Sequence, residues 1–333
     1  MQAGDPQFVD LSLKFAYGAD SKALNEKRIQ GVQALSGTGG LSIFGSLIRR
    51  HGHKHIYVPD PTWGNHIPIF RDHGLEVRKY RYYDAANSSL NFDGMIEDIK
   101  NMPEGSCVLL HTCAHNPTGM DPSLEQWKQI SETMKKRNHL PLFDTAYQGF
   151  ASGCGEKDAA SLRMFVEDGH FLACVQSFSK NFGLYGHRIG TLSIVAANEE
   201  EAKRVVSQLK IVIRPMYSNP PRHGAMIVKT ILSDPQLAKE WEQQCKGMAD
   251  RINTMRHVLH DRLTYDGSTR NWDHIVKQIG MFAYSGLTKE QVIQLRDKHH
   301  IYCTLDGRIS MAGVTTGNVD YIADAIYDVT HTA

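Results

Sequence analysis

No two of the six cysteines form a C-x-x-C pair, and neither H-E-x-x-H nor G-x-S-x-G occurs in the chain, so the usual zinc-protease and serine-hydrolase signatures are missing. No apolar run approaches the ~18 residues of a membrane-spanning helix. No G-x-G-x-x-G follows an apolar run, and the turn Ser36-Gly37-Thr38-Gly39-Gly40 lacks the Lys-Ser/Thr of a phosphate loop. Nicotinamide cofactors and nucleoside triphosphates are therefore unsupported. Net charge is nearly absent: 37 Lys+Arg against 36 Asp+Glu leave a formal +1. No field draws the protein to nucleic acid or anionic lipid, and a small-molecule substrate is the expectation.

What is present describes an ordinary globular chain. Its 333 residues, 41% hydrophobic and 22% charged, are enough for roughly two domains of ~150 residues and a large buried core. The scattered cysteines, several in apolar stretches such as Cys174 in FLACVQ, read as reduced thiols of a reducing compartment. The amino end, MQAGDPQFVDLSLKFAYG, carries neither a signal-peptide nor a transit-peptide pattern. Phe8, Leu11 and Phe15 recur at helical spacing, so the chain is expected to open inside a folded element, as a truncated start would.

Short apolar runs alternate with helix-period segments through the first two-thirds, the pattern of an α/β layer with crossover connections. Strands are predicted at 55–59, 75–80, 106–111, 139–144, 171–177 and 191–196. Helices are predicted from Thr38 to Arg50, from Asp121-Pro122 to Arg137, and from Glu199 to Ile213 behind Asn198. After the break YSNPP (217–221) a mostly helical stretch from Arg222 to Leu263 bridges to a second domain. There the order reads strand 279–286, helix 288–299, strand 307–313 and helix 318–331, two strand–helix units of a small α+β domain.

Four places carry chemistry. Lys180, in SFSKNFGLYGHRIG just past a predicted buried strand, is either a solvated surface charge or a desolvated amine able to attack a carbonyl. The turn at Ser36 opens a helix and is either a plain turn or an anion seat on exposed N–H groups. His111 with His115-Asn116-Pro117-Thr118-Gly119, and Asp144 with Thr145-Ala146-Tyr147, stand at the carboxyl ends of neighbouring predicted strands, where parallel sheets bind ligands. Asp144 is either a helix N-cap or the partner of a positive group such as a protonated ring nitrogen. Arg214 and Arg308 each edge an apolar run and are either surface ion pairs or carboxylate clamps. The His111/His115 pair lacks a matching acid or thiol ligand at metal spacing, and the HGHKH run at 51–55 reads as a solvated polar connection beside Arg49 and Arg50, so no metal is expected.

In this order the stretches SGTGG, PTWGNH, HNPTG, DTAYQGFASG, SFSKNFGLYGHRIG, RPMYSNPP and GRISMAGVTTGNVDY give the chain a resemblance to the aspartate aminotransferase family over nearly its whole length. IRPMYSNPP, KGMADRI and GRISMAGVTTGNVDYIADAI resemble the mitochondrial type most. The resemblance implies the pyridoxal-phosphate aminotransferase fold type I, an α/β fold. Residues 1–246 would form a large cofactor domain with a mostly parallel sheet, and 247–333 a smaller α+β domain. It implies pyridoxal 5′-phosphate as cofactor, amino-acid and 2-oxo-acid substrates, a homodimer with shared active sites, and the mitochondrial matrix, with the cytoplasm as alternative.

The resemblance also assigns roles. Lys180 holds the cofactor as a Schiff base and shuttles the substrate proton, Asp144 pairs with the pyridine nitrogen, and Tyr147 and Asn116 bond the phenolic oxygen. Ser36, Gly37, Thr38, Ser177, Ser179 and Arg188 hold the phosphate, and Trp63 stacks on the ring. His111 and His66 support Asp144 and the ring. Arg308 takes the substrate α-carboxylate, with Trp63, Asn116 and Phe282 around it, while Arg214 near Ser218 of the partner chain takes the distal carboxylate. The family's tyrosine that reaches the partner's phosphate falls immediately before this chain begins. The alternatives are an aromatic-tolerant aminotransferase and a truncated paralogue that binds without turnover.

Overall fold

The computed structural model describes residues 2–265 and 270–331. Seven strands form one sheet: β1 (Ile29–Leu35), β2 (His55–Asp60), β3 (Glu76–Arg81), β4 (Cys107–His111), β5 (Leu140–Thr145), β6 (Leu172–Ser177) and β7 (Ile189–Val195). They lie in the order β1-β7-β6-β5-β4-β2-β3. Only β7 runs against its neighbours β1 and β6, and the remaining pairs are parallel. Alternation along each strand feeds two separate cores. Val108, Leu110, Phe143 and Cys174 join one cluster with Phe8, Trp127 and Phe165. Cys107, Leu109, Leu142 and Val175 join the other with Leu41, Phe70 and Leu209. Both faces are thus covered by helices, which is why these strands read as continuous apolar runs.

A third cluster, including Ile252, Leu259, Trp272, Leu295, Ile309 and Ile326, is built on the far half of the helix Pro235–Tyr265, the helices Lys289–His299 and Val319–His331, and an antiparallel pair, β8 (Phe282–Tyr284) with β9 (Arg308–Ser310). The long helix starts at Pro235, with Asp234 Oδ1 accepting from the N–H groups of Gln236 (2.8 Å) and Leu237 (3.1 Å). That cap also divides the predicted 222–263 helical stretch in two, since His223–Ser233 is a separate helix.

Other boundaries move for identifiable reasons. The helix predicted from Asp121 begins at Leu124, because Ser123 and Gln126 form a capping box. The Asp121 carboxylate instead accepts from the N–H groups of Ala114 (2.6 Å) and His115 (2.8 Å). The predicted strand 279–286 shrinks to Phe282–Tyr284, and 307–313 to Arg308–Ser310 followed by a 3-10 turn at Met311–Gly313. Strand β1 has no counterpart among the predicted strands, since Gln30, Gly31 and Gln33 interrupt its apolar pattern. Tertiary contacts rescue it: Gln33 is buried and its Nε2 donates to Pro221 O at 2.6 Å.

Two glycines test this packing in opposite directions. A Cβ on Gly190 of β7 would stand 2.3 Å from Gln176 O and 2.8 Å from Ser36 Cα, all of it backbone. Gly190→Ala is expected to lower stability by about 2 kcal/mol or more in urea denaturation. Gly247, inside the long helix with nothing near its Cβ position, should stabilise by about 0.5–1 kcal/mol as Gly247→Ala.

Candidate active site

Strand register sets the floor of the site. His111 of β4 lies directly beside Asp144 of β5, and Ser177 of β6 beside Gly190 of β7. His111, Asp144 and Ser177 stand at the carboxyl ends of parallel strands, where an open α/β sheet leaves its crevice. Ser36 follows β1 in a left-handed conformation (φ 59°) and starts the helix Ser36–Arg50. Gly190 lets Ser36 close against β7, and Gly40 lets the helix close against Val175 of β6. A cavity of about 140 Å³ results, and its walls include Gly37, Thr38, Trp63, Asn116, Tyr147 and Lys180.

At the floor, Asp144 Oδ2 accepts from His66 Nε2 at 2.9 Å, and His66 Nδ1 in turn meets Thr62 Oγ1 at 2.7 Å. Burial alone would raise the Asp144 pKa. The His66 hydrogen bond, with the electrostatic pull of the neighbouring His66, His111 and Lys180, more than reverses this and holds the carboxyl below its ordinary value. Asp144 is therefore an ionised carboxylate with Oδ1 uncommitted among the described residues. His111 accepts from the Asn116 N–H through Nδ1 (3.3 Å), which leaves the proton of its neutral ring on Nε2, buried and unpartnered among the described residues. Burial, and then the nearby His66, push its pKa down to about 3.

Lys180 stands opposite, half-buried, with Nζ 5.1 Å from the centre of the Tyr147 ring. Burial lowers its pKa against the pull of Asp144, and the Arg188 and Arg308 charges lower it further. Its loop is anchored one residue on: the Asn181 carbonyl accepts from Trp241 Nε1 (2.8 Å) and Cys245 Sγ (3.1 Å), and Asn181 Nδ2 donates to Gln148 O (2.9 Å). At the helix start, Ser36 Oγ lies 2.8 Å from both Ser177 Oγ and Ser179 Oγ. The first turn has no side-chain cap, so its N–H groups stay available to an anion. Arg188 Nη1 donates to Tyr185 O at 2.9 Å beside this cup.

Arg308 of β9 comes from the part of the fold built on the third core cluster. Its Nη1 donates to Asn116 Oδ1 at 2.7 Å, its guanidinium lies 4.3 Å over the Phe282 ring, and its buried Nε has no partner among the described residues. It lines a second hollow that shares Trp63 and Asn116 with the first. Arg214 behaves differently: it is exposed on the helix Glu199–Tyr217 and donates to Ser218 Oγ at 2.5 Å, and neither residue lines the cavity. Cys113, Ala146 and Tyr185 also line the cavity but receive no role in the sequence expectation. Cys113 lies two residues after His111, Ala146 beside Tyr147 and Tyr185 five residues after Lys180, so position alone could have found them. A larger hollow of about 630 Å³ at the other end of the sheet, walled by residues such as Phe44, Leu172 and Val205, is lined by no lysine.

A desolvated amine facing an ionised carboxylate, with an uncapped helix start alongside, suits an enzyme that handles carbonyl groups through a lysine. The chain belongs to the aminotransferase class I and II family, whose model matches residues 2–326. It is 56% identical over 328 residues to the mitochondrial aspartate aminotransferase of Dictyostelium discoideum, an alignment covering 98% of this chain and 77% of that one. It is 54% identical to the cytoplasmic aspartate aminotransferase of Oryza sativa subsp. japonica, over 97% and 80% of the two chains. Among solved structures, the aromatic-amino-acid aminotransferase of Burkholderia pseudomallei, covalently bound to pyridoxal phosphate, superposes with a TM-score of 0.97 at 42% identity over 99% of this chain and 82% of that one.

The family is pyridoxal-phosphate-dependent, and the residues present fit that group. The serine cup at an uncapped helix start suits a phosphate, Asp144 Oδ1 suits a protonated ring nitrogen, and Lys180 suits an aldehyde.

The ionisation of Asp144 gives a signed expectation. A carboxyl held below its ordinary value adds stability that is complete above the unfolded-state value of ~3.9 and is lost as pH falls through the folded value. His66→Phe removes the hydrogen bond that does most to counter burial, so the pKa of the Asp144 carboxyl should rise. A ¹³C NMR titration of this carboxyl should show the increase, and an unchanged titration would contradict the assignment of His66 as its main partner.

Proposed function

We propose that this chain catalyses reversible amino transfer between L-aspartate and 2-oxoglutarate, giving oxaloacetate and L-glutamate, with pyridoxal 5′-phosphate held at Lys180. The observation that carries the reading is the cavity in which the amine of Lys180, its pKa lowered by burial, meets ionised Asp144, with Arg308 held beside it by Asn116. Residues 1–246 would serve as the cofactor domain and 247–333 as the small domain.

When bound, pyridoxal phosphate supplies an aldehyde that accepts the amino group and a cationic ring that draws electrons from the substrate Cα. The residues do the rest. Asp144 Oδ1 keeps the proton on the ring nitrogen, with Oδ2 fixed by His66. Ser36, Ser177, Ser179, Arg188 and the N–H groups of Gly37 and Thr38 hold the phosphate, and Trp63 covers the ring. Tyr147 and Asn116 donate to its phenolic oxygen. Lys180, whose lowered pKa leaves more of it as free amine, takes the proton from the substrate Cα and returns it to the other side of the transfer. Arg308 grips the α-carboxylate as a fork, with Phe282 beneath it, and so orients the Cα–H bond. Arg214 and Ser218 of a second copy would take the distal carboxylate, which makes the working unit a homodimer. The resemblance of IRPMYSNPP and its neighbours to the mitochondrial type supports the mitochondrial matrix as compartment.

A second reading, an aromatic-tolerant aminotransferase, is favoured by the likeness to the Burkholderia structure. Parallel turnover of phenylalanine and aspartate separates the two.

Two experiments test the proposal. Protein supplied with cofactor should show an absorbance band that shifts with pH and is converted by aspartate, and Lys180→Ala should lack the pH-dependent shift. A preparation that stays colourless in excess cofactor would reject the reading. Arg214→Asp should lose about 10²-fold or more in kcat/KM for aspartate while gaining turnover of cationic amino acids. Unchanged aspartate turnover would remove Arg214 from the site.

A further inference from the structure

Arg256, on the helix Pro235–Tyr265, takes no part in the chemistry above, yet it is 1% exposed and the only lysine or arginine among the buried described residues. Its guanidinium meets only backbone carbonyls: Nη1 donates to Ile275 O (3.2 Å), and Nη2 to Gly280 O (2.6 Å) and Phe282 O (2.5 Å), while its buried Nε has no partner among the described residues. Removing a guanidinium from water without a counter-charge costs several kcal/mol, and three neutral carbonyls offset only part of that. A cation kept at such a place has to do something that an apolar side chain of the same size cannot.

The three carbonyls belong to one segment, 275–282, most of which has no strand partner. Its opposite edge rests on the loop that follows β4. Ile279 N donates to Gly119 O at 2.9 Å, and Gly280, in a left-handed conformation, approaches Ala114 so closely that a Cβ on it would lie 2.6 Å from the Ala114 Cβ. That loop carries Asn116, which binds Arg308, and the segment ends in Phe282, whose ring lies under Arg308. The α-carboxylate clamp is thus built from two pieces, and the placement of one of them is governed by Arg256. The planar fork matters here, because its donors reach carbonyls seven residues apart in sequence from one rigid plane.

We propose that Arg256 is a positioning residue for substrate recognition. By gripping Ile275, Gly280 and Phe282 it fixes the segment that supports Arg308 and so sets the seat of the substrate α-carboxylate. The inference rests on the assignment of Arg308 as that clamp.

The test uses cofactor-loaded enzyme with Arg256→Met, Arg256→Lys and, as reference, Arg308→Lys. Arg256→Met is expected to raise the KM for aspartate about 10-fold with kcat within about 3-fold of wild type, and to leave the pH dependence of the cofactor absorbance unmoved. Arg256→Lys, which keeps the charge but loses the fork, should fall between the two, and it carries the test if the methionine variant is insoluble. An unchanged KM in the folded variants overturns the proposal. So does a loss of kcat with an altered cofactor spectrum, which marks a general scaffold role. Arg308→Lys separates the two levels: a raised KM there with flat Arg256 variants defeats only this inference, whereas an unchanged KM there defeats the assignment of Arg308 on which it stands.

Discussion

An ionised carboxylate is kept out of water at the end of a central strand, and the site is organised around that cost. Burying Asp144 as an anion costs several kcal/mol, and one hydrogen bond to a charged group returns about 1.5–3 kcal/mol, so no single neighbour suffices. The fold therefore surrounds it. His66 reaches Oδ2 from the helix that begins at that residue and is itself held by Thr62; register brings His111 alongside, and Lys180 faces it from the loop after β6. Strand ends and the loops that leave them put these groups together, and each would be costly to bury without the others.

The same economy of space explains the glycines of the cup. Three hydroxyls can converge at 2.8 Å only if the chain after β1 turns sharply and presses onto β6 and β7. Gly190 and Gly40 supply the missing volume, and Ser36 accepts a left-handed backbone to make the turn. The anion seat is thus a consequence of how closely helix and sheet approach, which a residue-by-residue count of polar groups does not contain.

Much of this is legible in the sequence. The six predicted strands stand within about two residues of β2 to β7, and the central parallel ones, β4 to β6, are the plainest because they are buried and apolar on both faces. Lys180, Asp144 and His111 declare themselves by their places at or just past the ends of strands, and Ser36 by the glycine-rich turn that opens a helix. Strand β1 is hidden because buried Gln33 is satisfied by Pro221, a partner 188 residues away, and no local pattern reports that. The helix at Leu124 is misplaced because Asp121, a good N-cap by type, is committed to Ala114 and His115. Arg256 leaves a trace in the sequence as well: it sits four residues after Ile252 and three before Leu259, on a buried stripe where an arginine is out of place.

Specificity for a second carboxylate follows from where the guanidinium groups are committed. Within one chain, Arg188 stands beside the serine cup, Arg308 is held by Asn116, and Arg256 donates to three carbonyls. No further arginine lines the cavity or the hollow that adjoins it among the described residues. A substrate with one carboxylate could be seated by this wall alone. The second carboxylate of aspartate would enter the same low-dielectric crevice unpaired, at a desolvation cost that favours a shorter or apolar side chain instead. Arg214 offers the needed fork, but from an exposed helix outside its own chain's cavity. On the proposed reading, preference for dicarboxylates is therefore a property that two copies have together and one copy lacks, and it makes assembly of the dimer part of substrate selection as well as of stability.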